Sequence, residues 1–406
     1  MKKLLRREPK FNGLCVGLDL HKRFIHASVL DASGDEVLSM RLASDPDALM
    51  RLLDDLSSQG HALRVVIEAS GCFLWVHDLV LDRLGPESVQ VAAPGKVRVI
   101  AQSGQKTDAT DAWWLAYLGH EGRLPLAYVA QGSLRELRIA SRELREVIDR
   151  RSDLMRRMKS HLAQLGLGFG ASAWSSVAGR SRVQALVDEV MARHGMRGQA
   201  ICRLWLGIQQ LSQEVAFWRE QVQKLSQGFQ EVGLLGDQLP GVGPQIAAVV
   251  WSELGDPRRY RTAKAYAKAT GLTPSYRESG GRRQGGGITR EGSRHVRWAL
   301  TRAVLACSRC RQGPGVWLWR WVDHKSRRKA RKSAMVAAAR KLAESIWRLF
   351  AWGDALDLGR VFGGLPRAAG AGPCPPPGSP RKPRKPGDAL MFPPEEMLHG
   401  GRAIPG

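Results

Sequence analysis

Hydrophobic positions in the first 125 residues alternate between short strand-like runs and amphipathic helical stretches. The runs predict five strands, at residues 14–19, 24–30, 36–42, 63–67 and 89–92. Apolar positions spaced for one helical face predict helices around 49–56 and 74–84, and a further helix is predicted from Thr107 onwards. Three hairpin-linked strands followed by alternating helices and strands indicate one α/β domain over residues 1–125.

Four acidic residues occupy positions that this order of elements brings together. Asp19 and Glu68 each mark the end of a buried strand, and in a ribonuclease-H-like layout those two strands lie side by side. Asp108 and Asp111 are three positions apart in a helix that Thr107 can cap, so they share a face. Acids in a first helical turn can simply complement the helix dipole. Four carboxylates in one cleft, however, repel each other without a cation, and their oxygens suit Mg²⁺ or Mn²⁺.

A heptad pattern dominates the region that we predict to be a helical, coiled-coil-like spacer at residues 130–230. Residues 134–165 place apolar side chains at eight of ten core positions, with Ser141 and Arg151 as the exceptions. A second seam, from Ile201 to Leu225, has no exception. Two arrangements fit the pattern, an antiparallel hairpin within one chain or a coiled coil between chains.

The segment Leu239–Pro244 opens a third predicted region, a mainly helical domain at residues 231–355. Its Leu-Pro-Gly-Val-Gly-Pro sequence precedes an apolar helix. This order is typical of a helix-hairpin-helix element, whose free amides can hold a phosphate. A tight turn in which Pro244 opens a helix explains the same residues without a ligand.

A glycine-rich loop at residues 271–283 carries Ser279. Glycine lets a backbone approach a ligand closely, and Arg277, Arg282 and Arg283 could neutralise phosphate oxygens. On composition alone, Ser279 is a turn serine.

The charge balance indicates a polyanionic partner. The 406 residues contain 62 Lys and Arg against 38 Asp and Glu, a net charge of +24, which suits DNA or RNA. The candidate phosphate contacts are Arg277, Arg282, Arg283, Arg290, Arg297, Lys325, Arg327, Arg328 and Lys329. No lipidation signal, signal-peptide core or long apolar run is present, so we expect a cytoplasmic protein without a membrane partner. Pro and Gly dominate residues 356–406, which predicts a disordered tail.

Several of these motifs resemble one family, the DEDD-type insertion-sequence transposases. The runs at 17–19 (GLD), 67–71 (IEASG) and 106–112 (KTDATDA) are similar to the Asp, Glu and K-T-D-x-x-D elements of the family's RuvC-like domain. The run at 271–280, with its G-L-x-P and E-S-G elements, and Ile288, Gly292 and Arg297 after it, is similar to the family's C-terminal transposase domain. Val296 stands where Leu is usual, and the loop before Ile288 is unusually rich in Gly and Arg.

The resemblance implies a DNA transposase or recombinase that cuts and rejoins DNA by phosphoryl transfer. It implies metal, Mg²⁺ or Mn²⁺, at Asp19, Glu68, Asp108 and Asp111, and a 5′-phosphoserine intermediate at Ser279. It also implies a structured non-coding RNA, a bridge RNA, that pairs with target and donor DNA. We further expect a homo-oligomer, a dimer or a tetramer. Two alternatives stay open at this point: a RuvC-like junction nuclease that uses water, and a catalytically inactive nucleic-acid-binding protein.

Overall fold

The computed structural model describes residues 10–94, 97, 107–174, 176–279, 282–353 and 361–362. The chain divides into two compact units, Met1–Val129 and Ala130–Gly406. The tail predicted to be disordered, 356–406, lies outside the described residues apart from 361–362, and there Phe362 is buried beside Trp321, so the chain is still packed at that point. Within the described ranges, no helix combines the length and the apolar character needed to span a bilayer.

The first unit contains a five-stranded mixed sheet. Its strands are β1 (Leu14–Leu20), β2 (Phe24–Leu30), β3 (Glu36–Ala43), β4 (Leu63–Glu68) and β5 (Val89–Ala92). Their spatial order is β3-β2-β1-β4-β5, with β1 to β3 antiparallel and β4 and β5 parallel to β1. The described helices are α1 (Pro46–Ser57), α2 (Phe73–Leu84) and α3 (Asp108–His120). The α/β prediction is confirmed, and the layout is consistent with a ribonuclease-H-like DEDD domain.

Both faces of the central strands are buried, which explains why their sequences read as continuous apolar runs. Val16 and Ile67 belong to a core shared with α1 and α2. Cys15 and Val66, which alternate with them along the strands, belong to a second core shared with Leu115 of α3. Helices therefore pack on both faces of the sheet.

Gly17 permits the closest approach between the sheet and α3. A Cβ atom at this position would collide with the backbone oxygen of Ala112 and the backbone nitrogen of Ala116. Glycine at the middle of β1 thus sets how closely the helix can lie on the strand. This approach brings the first turn of α3 towards the carboxyl end of β1.

The second unit is mainly helical. Its helices are α4 (Gly132–Ala163), α5 (Val177–Arg193), α6 (Gly195–Ser226), α7 (Gln230–Gln238), α8 (Pro244–Leu254), α9 (Ala263–Ala269), α10 (Arg294–Ala306), α11 (Pro314–Ser326) and α12 (Arg331–Trp352). A two-stranded hairpin, β6 (Pro274–Ser279) and β7 (Arg282–Ile288), lies between α9 and α10 in sequence.

The two heptad seams meet within the chain. Leu144 of α4 and Val215 of α6 belong to one hydrophobic core, while Met158 and Ile201, further along the same helices, belong to another. Helices α4 and α6 are therefore antiparallel, as in the intrachain hairpin that the sequence allowed. The first of these cores also contains α8, α10 and α12. The predicted boundary between a spacer and a C-terminal domain at residue 230 stays a prediction.

The turn between α7 and α8 has a structural reason for its glycine. Gly241 has φ of 72°, and a Cβ atom there would collide with the backbone oxygen of Ala303 in α10. Pro244 occupies the first turn of α8. Packing against α10 accounts for this turn, and phosphate binding by a helix-hairpin-helix element stays a prediction.

Replacing Gly17 with alanine tests the approach of α3 to β1. The added methyl group would meet backbone atoms, which cannot move aside as the end of a side chain can. We expect Gly17→Ala to lower the free energy of opening of β1 by about 1–3 kcal/mol, measured by hydrogen exchange of its amides. Gly233→Ala in α7 is the control, since a Cβ there meets nothing within 4 Å. Equal protection of β1 in both variants would contradict the packing described.

Candidate metal centre and serine hairpin

Asp19 lies near the carboxyl end of β1, where the sheet brings it to the same edge as Glu68. The parallel register pairs Leu18 with Ile67, so each acid is the next residue along its strand. Asp19 is largely enclosed, with 17% of its side chain exposed. The two strand ends thus meet at the edge of the sheet at which the sequence analysis expected them.

Thr107 begins the helix that carries the other two acids. Its hydroxyl oxygen accepts a hydrogen bond from the backbone N–H of Thr110 at 3.1 Å, which confirms the predicted cap. Asp108 and Asp111 therefore both lie in the first turn of α3. Lys106, which precedes the cap, lies outside the described residues.

His21 joins the end of β1 to the first turn of α3. Its Nε2 atom lies 2.9 Å from Oδ2 of Asp19 and 3.3 Å from Oδ1 of Asp108. Its ring stacks on Phe24, with the ring centroids 4.5 Å apart. One ligand atom from each of Asp19, His21 and Asp108 lies within 4.8 Å of the other two, so the three side chains form a group that could hold a metal ion.

The electrostatics of Asp19 show that the acids are close together. Burial raises the pKa of the Asp19 carboxyl above its ordinary value. The negative charges of Asp111 and Asp108 raise this pKa further, whereas the hydrogen bond to His21 and its charge lower it. Asp108 and Asp111 therefore lie close enough to Asp19 for their charges to change its pKa.

Sequence reasoning missed His21, and the role of all four acids as ligands of one metal site stays a prediction. Glu68 and Asp111 are not members of the group whose ligand atoms lie within 4.8 Å. The missed signal is local: His21 follows Asp19 by two residues, in the short turn between β1 and β2. A side chain in that turn can reach back to the strand end that carries Asp19.

The serine hairpin is an antiparallel pair whose register is defined up to its tip. Ser279 pairs with Arg282, and Glu278 pairs with Arg283. At the base, the Ser275 hydroxyl donates a hydrogen bond to the carbonyl of Gly287 at 3.0 Å. Ser279 is therefore the last residue of β6 before the tip, and Arg282 lies directly opposite it in the facing strand.

Arg297 holds the turn that follows this hairpin. Its Nη1 donates to the carbonyl of Gly292 at 2.7 Å and to that of Arg290 at 3.2 Å. Burial lowers the pKa of the Arg297 guanidinium. Because a Cβ at Gly271 would meet Nη1 of Arg297 at 2.8 Å, the glycine leaves room for the guanidinium. The structure thus gives Arg297 a role in positioning the hairpin, which its sequence position alone did not reveal.

Four further candidate phosphate contacts lie where α11 ends. Lys325 is in the last turn of α11 and places its Nζ 5.6 Å from the ring centroid of Trp321. Arg327, Arg328 and Lys329 follow as exposed residues before α12. Four basic side chains thus form one exposed positive segment that is suited to phosphate oxygens.

Two family models match this chain, in the order of its two units. One, a model of DEDD transposases of the IS110 type described as "Transposase", matches residues 16–166. The other, described as "Transposase IS116/IS110/IS902 family", matches residues 237–315. The first match contains the Asp19–His21–Asp108 group and the second contains the serine hairpin.

Relatives from three bacteria are transposases by name. A "Probable family 20 transposase" of Pseudomonas aeruginosa is 27% identical over 342 residues, 82% of this chain and 96% of the relative. A "Putative transposase y4pF/y4sB" of Sinorhizobium fredii is 29% identical over 49% of this chain and 52% of its own length. The "Transposase for insertion sequence element IS1328" of Yersinia enterocolitica is 27% identical over 27% of this chain and 33% of its own length. With both domains matched in order, together over more than half of the chain, the protein belongs to the IS110 family of DEDD insertion-sequence transposases.

Proposed function

We propose that this transposase cuts and rejoins DNA through a covalent phosphoserine intermediate at Ser279, assisted by divalent metal at the DEDD site. The observation that carries the proposal is the convergence of Asp19, His21 and Asp108, with the charge of Asp111 acting on Asp19. In a DNA transposase, such a site is suited to a phosphodiester substrate.

The donor set fits a divalent cation. Asp19 and Asp108 offer carboxylate oxygens, which Mg²⁺ and Mn²⁺ prefer, and His21 keeps these two carboxylates close together. When bound, the ion supplies charge that polarises the phosphodiester. We propose Asp19, Glu68, Asp108 and Asp111 as its ligands, and His21 as a side chain that holds two of them in place.

Ser279 supplies the nucleophile in this proposal. Its Oγ bonds to the phosphorus of a DNA phosphodiester, the P–O3′ bond breaks, and the departing 3′ oxygen takes a proton as the serine hydroxyl loses one. The serine–phosphate ester retains the energy of the broken bond. A 3′ hydroxyl of another strand can therefore attack it and restore the serine without ATP. The register supports this role, because Arg282 lies directly opposite Ser279 in the facing strand and a cation close to the phosphate would stabilise its charge.

A second function needs only the first unit. A RuvC-like nuclease with the same acids could use water as its nucleophile, and Ser279 would then be dispensable. The position of Asp19 in β1 and of Asp108 at the start of α3, in a ribonuclease-H-like layout, favours this candidate as much as the first. The two candidates differ in one product, a covalent protein–DNA adduct.

The proposed partners are element-end and target DNA together with a structured guide RNA. A net charge of +24 favours the binding of large polyanions such as DNA and RNA. A protein that contacts backbones broadly and reads few bases obtains its specificity from base pairing, which an RNA can supply. We propose that the active form is a homo-oligomer, a dimer or a tetramer.

Asp108→Asn tests the metal site. The amide keeps the shape of the side chain and removes its charge, so the dissociation constant for Mn²⁺ should rise at least about tenfold, measured by electron paramagnetic resonance of free Mn²⁺. Metal-dependent DNA cleavage should be lost while circular dichroism stays unchanged. The matched control is Asp47→Asn, an acid in the first turn of α1, which should bind Mn²⁺ normally. Equal Mn²⁺ binding by both variants would leave Asp108 as a residue that only complements the helix dipole.

Ser279→Ala tests the nucleophile. Incubation of the protein with labelled element-end DNA and Mg²⁺, followed by denaturing gel electrophoresis, should give a covalent band that this variant lacks. The variant should still bind DNA, because the arginines of the hairpin remain. Ser275→Ala on the same strand is the control and should keep the band. An adduct that persists in Ser279→Ala and disappears in Tyr276→Phe would show that Tyr276, not Ser279, is the nucleophile. DNA cleavage without any adduct would support the water-dependent nuclease.

Ribonuclease treatment tests the guide. Protein purified from cells that carry the complete element should recombine a matched target and donor, and removal of RNA should reduce recombination to background. Adding back RNA extracted from the same preparation should restore it. Recombination that survives complete RNA removal, with the same choice of target, would contradict the guide.

A further inference from the structure

Arg151 stands at a core position of a heptad seam, where an apolar residue would be expected. Leu144 and Met158, one heptad before and one after it, are fully buried. Leu144 belongs to one hydrophobic core of the α4–α6 hairpin and Met158 to the other. Arg151 thus marks the place between the two cores where the seam does not close.

A cavity of about 560 Å³ opens at this place, between α4, α6 and the start of α5. Trp174 and Trp205 line it, with ring centroids 6.1 Å apart and planes inclined at 46°. Met155 and Ile208 add further apolar surface. Because Trp205 is only 3% exposed, Trp174 offers most of the aromatic surface on which a planar ring can stack.

The two indole N–H groups differ: that of Trp205 is hydrogen-bonded, whereas that of Trp174 has no partner among the described residues. Nε1 of Trp205 donates to Oε1 of Gln184 at 2.6 Å, and the Gln184 amide in turn donates to Asp188 at 2.8 Å. Nε1 of Trp174 is buried and has no hydrogen-bond partner among the described residues. A buried indole N–H without an acceptor is costly, so this atom favours a ligand that carries one.

The cavity also carries positive charge without a counter-charge. Arg151 forms no ion pair within the described part of the chain, and its buried Nε has no partner there. Burial lowers the pKa of its guanidinium, and the nearby charge of Arg219 lowers it further. Arg180 lines the mouth as a second arginine, and no Asp or Glu is among the described lining residues. An anionic group is therefore the complementary ligand.

We propose that this cavity binds one unpaired nucleotide of a single-stranded nucleic acid. Its base lies against Trp174 and Trp205, and its phosphate lies at Arg151 and Arg180. Stacking on aromatic rings beside cationic side chains is the usual chemistry of single-strand binding. A volume of about 560 Å³ lies within the range of sites for small molecules. Neither the candidate metal ligands nor Ser279 contributes to the cavity, so the proposal does not depend on the strand-transfer chemistry.

Photocrosslinking of the full-length protein tests the site locally, because it identifies the residue in contact with the base. The probes are single-stranded octamers, rU₈ and dT₈, each with one 5-iodo base, and irradiation is followed by mass spectrometry of the peptides. We expect crosslinks to Trp174 or Trp205 with at least one octamer, and their loss when the same octamer is annealed to its complement. The octamer that gives the higher crosslink yield shows whether the cavity prefers RNA or DNA. Loss of the crosslink in the presence of uridine monophosphate would show that a free nucleotide also binds.

Two variants with the same change in net charge separate the cavity from general electrostatic attraction. Arg151→Met fits the heptad seam and should keep or raise the melting temperature, while the crosslink at the two tryptophans falls at least about fivefold. Arg157→Met removes an exposed charge on the same helix and should leave the crosslink unchanged. Crosslinks confined to other parts of the chain, an undiminished yield in Arg151→Met, or equal losses in both variants would overturn the proposal. Should Arg151→Met fail to fold, Trp174→Leu replaces it, with loss of the Trp205 crosslink as the expected result.

Discussion

The contact of α3 with β1 is the constraint on which the candidate metal centre depends. Gly17 has no side chain, and the backbone of α3 occupies the space that one would fill. The helix can therefore lie close to the strand, and its capped first turn comes within reach of the strand's end. His21 then spans the remaining gap between Asp19 and Asp108. A larger residue at position 17 would separate the two carboxylates without changing either of them.

Much of the first unit could be predicted because its physical signals are local. The strand β5, the buried face of α1 and the cap at Thr107 each follow from a few neighbouring residues. The proximity of Asp19 and Asp108 could also be predicted, because the order of strands and helices places the start of α3 near the end of β1. His21 could not, since its position depends on the path of a turn and on the depth at which α3 packs.

The second unit shows a similar limit. The seams of α4 and α6 predicted long helices, but their pairing within one chain depends on the loops and on α8 and α10, which share their core. Phosphate contact by Arg297 stays a prediction, but a further role of this residue could not be read from the sequence. In the structure it donates to the carbonyls of Arg290 and Gly292. The acceptors are backbone atoms, and a sequence pattern contains no information about where such atoms point.

The α4–α6 hairpin shares a hydrophobic core with the helices around it, so it is anchored to them and does not move as a separate element. The 32 residues of α4 extend for about 48 Å. The N-terminal half of this helix packs in the core that also contains α10. Well-packed interiors transmit strain because they compress little. Because these helices share one core, the α4–α6 hairpin and α10 are packed as one body, and Arg297 of α10 holds the turn that follows the serine hairpin. A displacement of the α4–α6 hairpin would therefore move α10 and this turn together with it.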